Sequence, residues 1–191
     1  MSKVKSEPII QFGDSNLRTT CSIVTVFHKG LHNKLNILSN TLKTHGGGAA
    51  LAAPQISLLK RIIVIDYLGE YYELINPVIT GNSGETIDVE GCLSLPDFWG
   101  NVKRYKYVMV DFQDRFGKKH TLEVKDQMAR CFQHEIDHLD GILFIDRIVD
   151  EYVHNEKTNE YVSVNYFLEL TKNGSAHNSS TMPVSKQTSI D

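Results

Sequence analysis

The stretch Cys131–Gly141 reads CFQHEIDHLDG, and it decides how the rest of the chain is read. His134 and His138 are four residues apart with Glu135 directly after the first, the H-E-x-x-H spacing of a metal-binding helix. On a helix, positions i and i+4 stand one above the other on one face, so both imidazoles reach one ion. Glu135 is turned about 100° from His134 and leans toward the open side of that ion without binding it. Two histidines do not complete a catalytic site, which has three protein ligands and one open position. Cys131 shares their face, but it is seven residues from His138, about 10 Å along the axis. Metal–ligand bonds are only about 2.0–2.3 Å long, so the third ligand comes from another segment. Cys131 takes a packing or pocket-lining place. Among distant candidates Cys92 stands out, in the turn-rich SGETIDVEGCLSLP, although a lone cysteine also serves as a small buried hydrophobe.

Working outward, Lys125–Asp140 reads as the helix that carries the motif, stopped by Gly141. A second helix is predicted from about His28 to Thr44, because Leu31, Leu35, Leu38 and Leu42 recur at helical spacing and form a core-facing stripe. Residues 1–24 read as an irregular arm. Lys60–Asp66 and Tyr71–Pro77 read as strands, the second stopped by Asn-Pro, and Thr80–Glu85 as a turn. KYVMVDF and HTLEVK flank DRFGKK as a hairpin, LFIDRI is an extended exit, and YVSVNYF suggests one more strand. Strands around one strong helix, without regular βαβ alternation, give an α+β fold: antiparallel β-sheets packed around a central helix carrying the motif, plus an N-terminal helix. The expected organisation is one domain over 1–170 and a polar, flexible tail over 171–191, rich in Ser, Thr and Asn.

The bulk composition narrows the function classes. With 191 residues and 41% hydrophobic content, the chain suits one sizeable core. A net charge of -3 with interspersed signs points to neither nucleic acid nor an anionic membrane as partner. No apolar run approaches the ~20 residues of a membrane span, and the N-terminus has no secretory h-region. Three cysteines without scaffold spacing fit a reducing cytosol, hence a cytoplasmic protein.

Three short motifs in fixed order then carry a resemblance. Glu90-Gly91-Cys92-Leu93-Ser94 and Gln133-His134-Glu135-Ile136-Asp137-His138 match the E-G-C-L-S and Q-H-E-x-D-H motifs of the peptide deformylases, and Gly48–Gln55 resembles the G-x-G-x-A-A-x-Q motif. The similarity extends from about residue 8 to residue 150. It implies Cys92, His134 and His138 as ligands of Fe2+, with Zn2+, Ni2+ or Co2+ able to substitute. It implies Glu135 as general acid/base, and Gln55 and the Leu93 N–H as oxyanion donors. The implied reaction removes the formyl group from formyl-methionyl nascent peptides and releases formate. Gly48, Ala49, Ala50, Trp99, Arg130 and Cys131 are then the expected substrate-pocket residues, and the protein is expected to be a monomer. Glu90, Asp137 and Arg104 are expected to form a charge cluster that orients the motif turn and the metal helix.

Two departures bear on that implication. Ala50 replaces the second glycine of the first motif, where an added methyl matters if the backbone needs φ > 0 or approaches substrate closely. Asp150–Asp191 lacks the basic helix with which some bacterial relatives dock on the ribosome, so that docking mode is not carried over. The alternatives are a non-catalytic or altered-specificity paralogue that binds formylated peptides, and a zinc endopeptidase. The second lacks a further histidine in the LDGILFIDRI that follows His138.

Overall fold

The computed structural model describes residues 5–45 and 48–172. The run IIVI in strand β2 (Ile62–Tyr67) explains the layering, since all four side chains are buried. An apolar run of this kind is a strand covered on both faces. Ile63 and Ile65 pack with Phe132, Ile136 and Leu139 of helix α2 (Asp126–Leu139). Ile62 and Val64 pack with the leucine stripe of helix α1 (Lys29–His45). Each fully buried leucine of that stripe contributes roughly 1.5–3 kcal/mol by leaving water.

Among the described residues, seven strands form one antiparallel network in the order β1-β2-β3-β4-β6-β7, with β5 also pairing β4. Strand β1 (Ala50–Ala52) is its outer edge beside β2. The long strands β3 (Glu70–Cys92) and β4 (Leu95–Gln113) pair along most of their length and turn tightly at Leu93-Ser94. Strand β5 (Lys119–Lys125) pairs with Tyr107–Gln113 as the predicted hairpin. Strands β6 (Tyr152–Asn155) and β7 (Glu160–Ser163) extend the network from Phe98 and Trp99. Helix α3 (Val164–Lys172) closes a third apolar cluster, in which the buried Phe167 meets Phe12 and Phe98 edge-on at ring distances of 5.5 and 5.2 Å. Among the described residues no helix is long and apolar enough to cross a membrane.

Several local expectations are corrected. Asn76-Pro77 does not end the second strand: Asn76 takes φ 53, its amide exchanges hydrogen bonds with the Val24 backbone, and β3 continues after a register shift. Thr80–Glu85 lies inside β3, because Ser83 and Glu85 pair across to Tyr107 and Tyr105 despite their turn-like composition. LFIDRI contains a 3-10 turn at Phe144–Arg147. The strand expected at Tyr161–Phe167 ends at Ser163, after which helical packing of Phe167 and its neighbours takes over. Helix α3 runs two residues past position 170. The rest of the expected tail, 173–191, lies outside the described residues, as do Gly46 and Gly47.

Candidate metal centre

The end of β3 and the middle of α2 meet at one point. At the β3–β4 turn the register shifts between Gly91 and Cys92, so Gly91 faces Trp99 while Cys92 faces Leu95. That shift turns the Cys92 thiol toward α2, where Sγ lies 3.3 Å from His138 Nε2. The His134 and His138 rings stand one helical turn apart, 5.0 Å between centroids. One ligating atom from each of Cys92, His134 and His138 lies within 4.8 Å of the others. A tetrahedral ion with Zn-like bond lengths needs donor separations of about 3.3–3.6 Å, so small side-chain adjustments suffice. One soft thiolate and two imidazoles form a donor set suited to Zn(II) or Fe(II). The residues present therefore fit a divalent transition metal.

The donors are held from behind. His134 Nδ1 lies 2.9 Å from Glu90 Oε2, which turns Nε2 toward the cluster. Glu90 also accepts from Arg104 Nε and Nη2 at 2.9 and 3.0 Å and from Arg130 Nη1 at 2.7 Å. Burial alone raises the Glu90 carboxyl, but hydrogen bonds from His134 and Arg104 outweigh it and hold the group well below the usual carboxylate range. Arg104 continues to Asp137, which Arg147 grips with Nε and Nη2 at 2.6 and 2.7 Å. The expected Glu90–Arg104–Asp137 cluster is present and buried, and Arg130 and Arg147 join it. Nothing in the spacing of Arg147, ten residues after Asp137, signals this partnership.

Glu135 is buried, and its Oε2 has no hydrogen-bond partner among the described residues. Burial pushes its carboxyl up to about 7. Gln55 sits in the 3-10 turn Ala53–Ile56, where its Oε1 accepts the Ala52 N–H at 2.9 Å. Its Nε2 thereby points at Ser94 Oγ (3.2 Å) and Cys92 Sγ (3.6 Å). Ser94, quoted in the motif but given no role from sequence, is buried and also donates its backbone N–H to Cys92 Sγ at 3.4 Å.

These groups open on a cavity of about 470 Å³. Gly48, Ala49, Ala50, Leu93, Trp99, Arg130 and Cys131 all line it, with Gln55, Cys92, His134 and Glu135. The Arg130 guanidinium is committed to Glu90 and to the carbonyls of Thr86 and Val102. Burial pushes the Cys131 thiol well up. Ala50 is an extended strand residue with its methyl in the core, so this position makes no demand for glycine. Trp99 lies over Gly91, where a Cβ would come within 2.8 Å of the indole.

An H-E-x-x-H helix laid against an antiparallel sheet, with a thiolate delivered by a strand end, defines a metal-dependent hydrolase. The sequence profile of the polypeptide deformylase family matches residues 6–153. The peptide deformylase of Heliobacterium modesticaldum is 44% identical over 143 residues, covering 75% of this chain and 94% of that protein. Peptide deformylase 1 of Bacillus subtilis is 43% identical over 143 residues, 73% of this chain and 88% of the relative. Among solved structures, the Thermotoga maritima peptide deformylase superposes with a TM-score of 0.74 at 35% identity, covering 76% of this chain and 99% of that one. A class I type b peptide deformylase from Acinetobacter baumannii, crystallised with Met-Ala-Ser, gives 0.72 at 28% identity over 76% of this chain and all of that chain. The chain belongs to the polypeptide deformylase family, metal-dependent hydrolases that remove the formyl group from nascent peptides.

Proposed function

We propose that Cys92, His134 and His138 hold Fe2+ and that the chain deformylates formyl-methionyl nascent peptides in the cytoplasm as a monomer, with Zn2+, Ni2+ or Co2+ able to replace iron. The observation that carries this reading is the convergence of three donors beside a buried carboxylate with one free oxygen. When bound, the ion supplies Lewis acidity and brings the pKa of water down toward ~7. Glu135 accepts a proton at its free Oε2 and returns it to the leaving amine, one group serving both steps. Gln55 Nε2 and the Leu93 N–H receive the negative charge that develops on the formyl oxygen. One such donor is worth about 2.7–4 kcal/mol in the transition state. The cavity takes the methionine side chain, with Cys131 in its lining. The three free thiols fit a reducing compartment.

The experiment is formate release from formyl-Met-Ala-Ser by protein loaded with Ni(II) or Fe(II). Turnover that vanishes in Glu135→Ala while metal content stays the same supports the proposal. An inactive wild-type chain with full metal occupancy points to a binding paralogue, and cleavage of internal peptide bonds to a protease. Iron as the resident metal is tested by air: the iron form is expected to lose activity faster than the nickel form.

A further inference from the structure

Three consecutive residues of the N-terminal arm each reach a different part of the site. The Ile10 N–H donates to the Gln55 carbonyl at 2.9 Å, and the Phe12 N–H to the Ser94 carbonyl at 2.7 Å. Between them, Gln11 Nε2 donates to the Leu93 carbonyl at 3.3 Å and to the Ile9 carbonyl at 3.1 Å. Gln55 and Leu93 come from separate segments, the 3-10 turn after β1 and the β3–β4 turn. The arm therefore spans the gap between the two oxyanion donors. The Leu93 carbonyl belongs to the same peptide unit as the Ser94 N–H, which donates to Cys92 Sγ at 3.4 Å. In a trans unit the C=O and the N–H point in opposite directions. A donor that holds the Leu93 carbonyl from outside thus aims the Ser94 N–H at the sulfur inside. The arm is itself anchored: Phe12 is buried, meets Phe167 of α3 edge-on, and packs with Leu95 and Phe98 just after the motif turn. Gln11 is exposed and stands outside that cluster, so its amide can be altered without opening the core.

We propose that Gln11 is a positioning residue for deformylation: its amide braces the Leu93–Ser94 peptide unit, which keeps the Leu93 N–H aligned with Gln55 Nε2 and the Ser94 N–H on the Cys92 sulfur. The inference rests on the deformylase reading above. Gln11 touches no reacting atom and acts through the backbone it holds. The net worth of one hydrogen bond corresponds to a rate change of about 2- to 10-fold. The charge that the Leu93 N–H receives develops only in the transition state, so the loss falls on kcat rather than KM. A hydrogen bond to a ligating sulfur also lowers its donor strength, so loosening the Ser94 N–H makes Cys92 a stronger donor to a bound ion.

The test loads the full chain with Co(II) and compares wild type, Gln11→Leu, which keeps the bulk without a donor, and Gln11→Lys, which keeps one donor on a long stem. In Gln11→Leu, kcat on formyl-Met-Ala-Ser is expected to fall about 2- to 10-fold with KM and melting temperature near wild type. The thiolate-to-cobalt charge-transfer band is expected to move to longer wavelength, a change that a role in folding alone does not produce. Gln11→Lys is expected to restore most of both. If the wild-type protein releases no formate, the deformylase reading fails, and the band alone then decides the brace: a shift supports it and an unmoved band refutes it. With an active wild type, an unmoved band or an unchanged kcat in Gln11→Leu, a loss carried by KM, or a loss that Gln11→Lys leaves in place overturns the proposal.

Discussion

The Glu90 carboxylate lies 2.9 Å from His134 Nδ1, and the same carboxylate receives the guanidinium groups of Arg104 and Arg130. A residue two positions before Cys92 thus orients a donor on the opposite segment of the site. Both halves of the metal centre hang on one buried anion.

Glu90→Gln keeps the shape but removes the charge that holds His134 and two arginines. Metal affinity is expected to fall about 10- to 100-fold, measured by competition with a chelator. Glu90→Ala goes further and leaves buried guanidinium groups uncompensated, which costs about 3–5 kcal/mol of stability. A melting temperature equal to wild type refutes this account of the cluster.

Arg147 acts at one remove. Its side chain is 43% exposed, yet it holds both oxygens of Asp137. Arg147→Met is expected to quicken metal loss while Arg147→Lys restores part of the retention. The dissociation rate into excess chelator checks this. Identical rates for wild type and Arg147→Met exclude the connection.

Gln55→Leu removes a donor that the site directs at Ser94 and Cys92. A loss of about 10²–10³ in kcat is expected, with far less change in KM. Steady-state kinetics on formyl-Met-Ala-Ser decides it. A loss confined to KM assigns Gln55 to ground-state binding instead.

Metal removal is expected to lower the melting temperature, because an ion at 100 times its Kd stabilises the native state by about 2.7 kcal/mol. The same treatment exposes Cys92 to alkylation, while Cys21, whose thiol burial pushes up to about 11, reacts slowly. Mass spectrometry of labelled peptides, with and without chelator, gives the answer. Equal labelling of Cys92 in both conditions removes it from the ligand set.

Gly141 stops α2 at φ +73, and a Cβ there would come within 2.7 Å of the Arg18 backbone. Gly141→Ala is expected to destabilise the protein by about 1–3 kcal/mol. Denaturant unfolding of the variant measures this, and an unchanged midpoint contradicts the close approach.

Helix α2 was legible because its chemistry repeats at helical spacing and Gly141 marks its end. The leucines of α1 were legible for the same reason. The long β3–β4 pair was not, since Thr80–Glu85 has the local composition of a turn and becomes strand only through partners some twenty residues away. YVSVNYF alternates like a strand, but its second half is helical, with Phe167 packed against Phe12 and Phe98 from distant segments. The convergence of Cys92 with the two histidines was reached through motif resemblance, because no local pattern joins residues 46 apart. Arg147 carries no signal in the sequence for a related reason: it meets Asp137 through a turn whose geometry leaves no periodic trace.

The indole of Trp99 over Gly91 ties two positions into one evolutionary unit. A side chain at 91 meets the indole at 99 and forces it to move, so substitutions at the two positions are coupled. In directed evolution, a library that varies position 91 alone is expected to be enriched in glycine. Varying both together is expected to open mouths of different width beside Cys92.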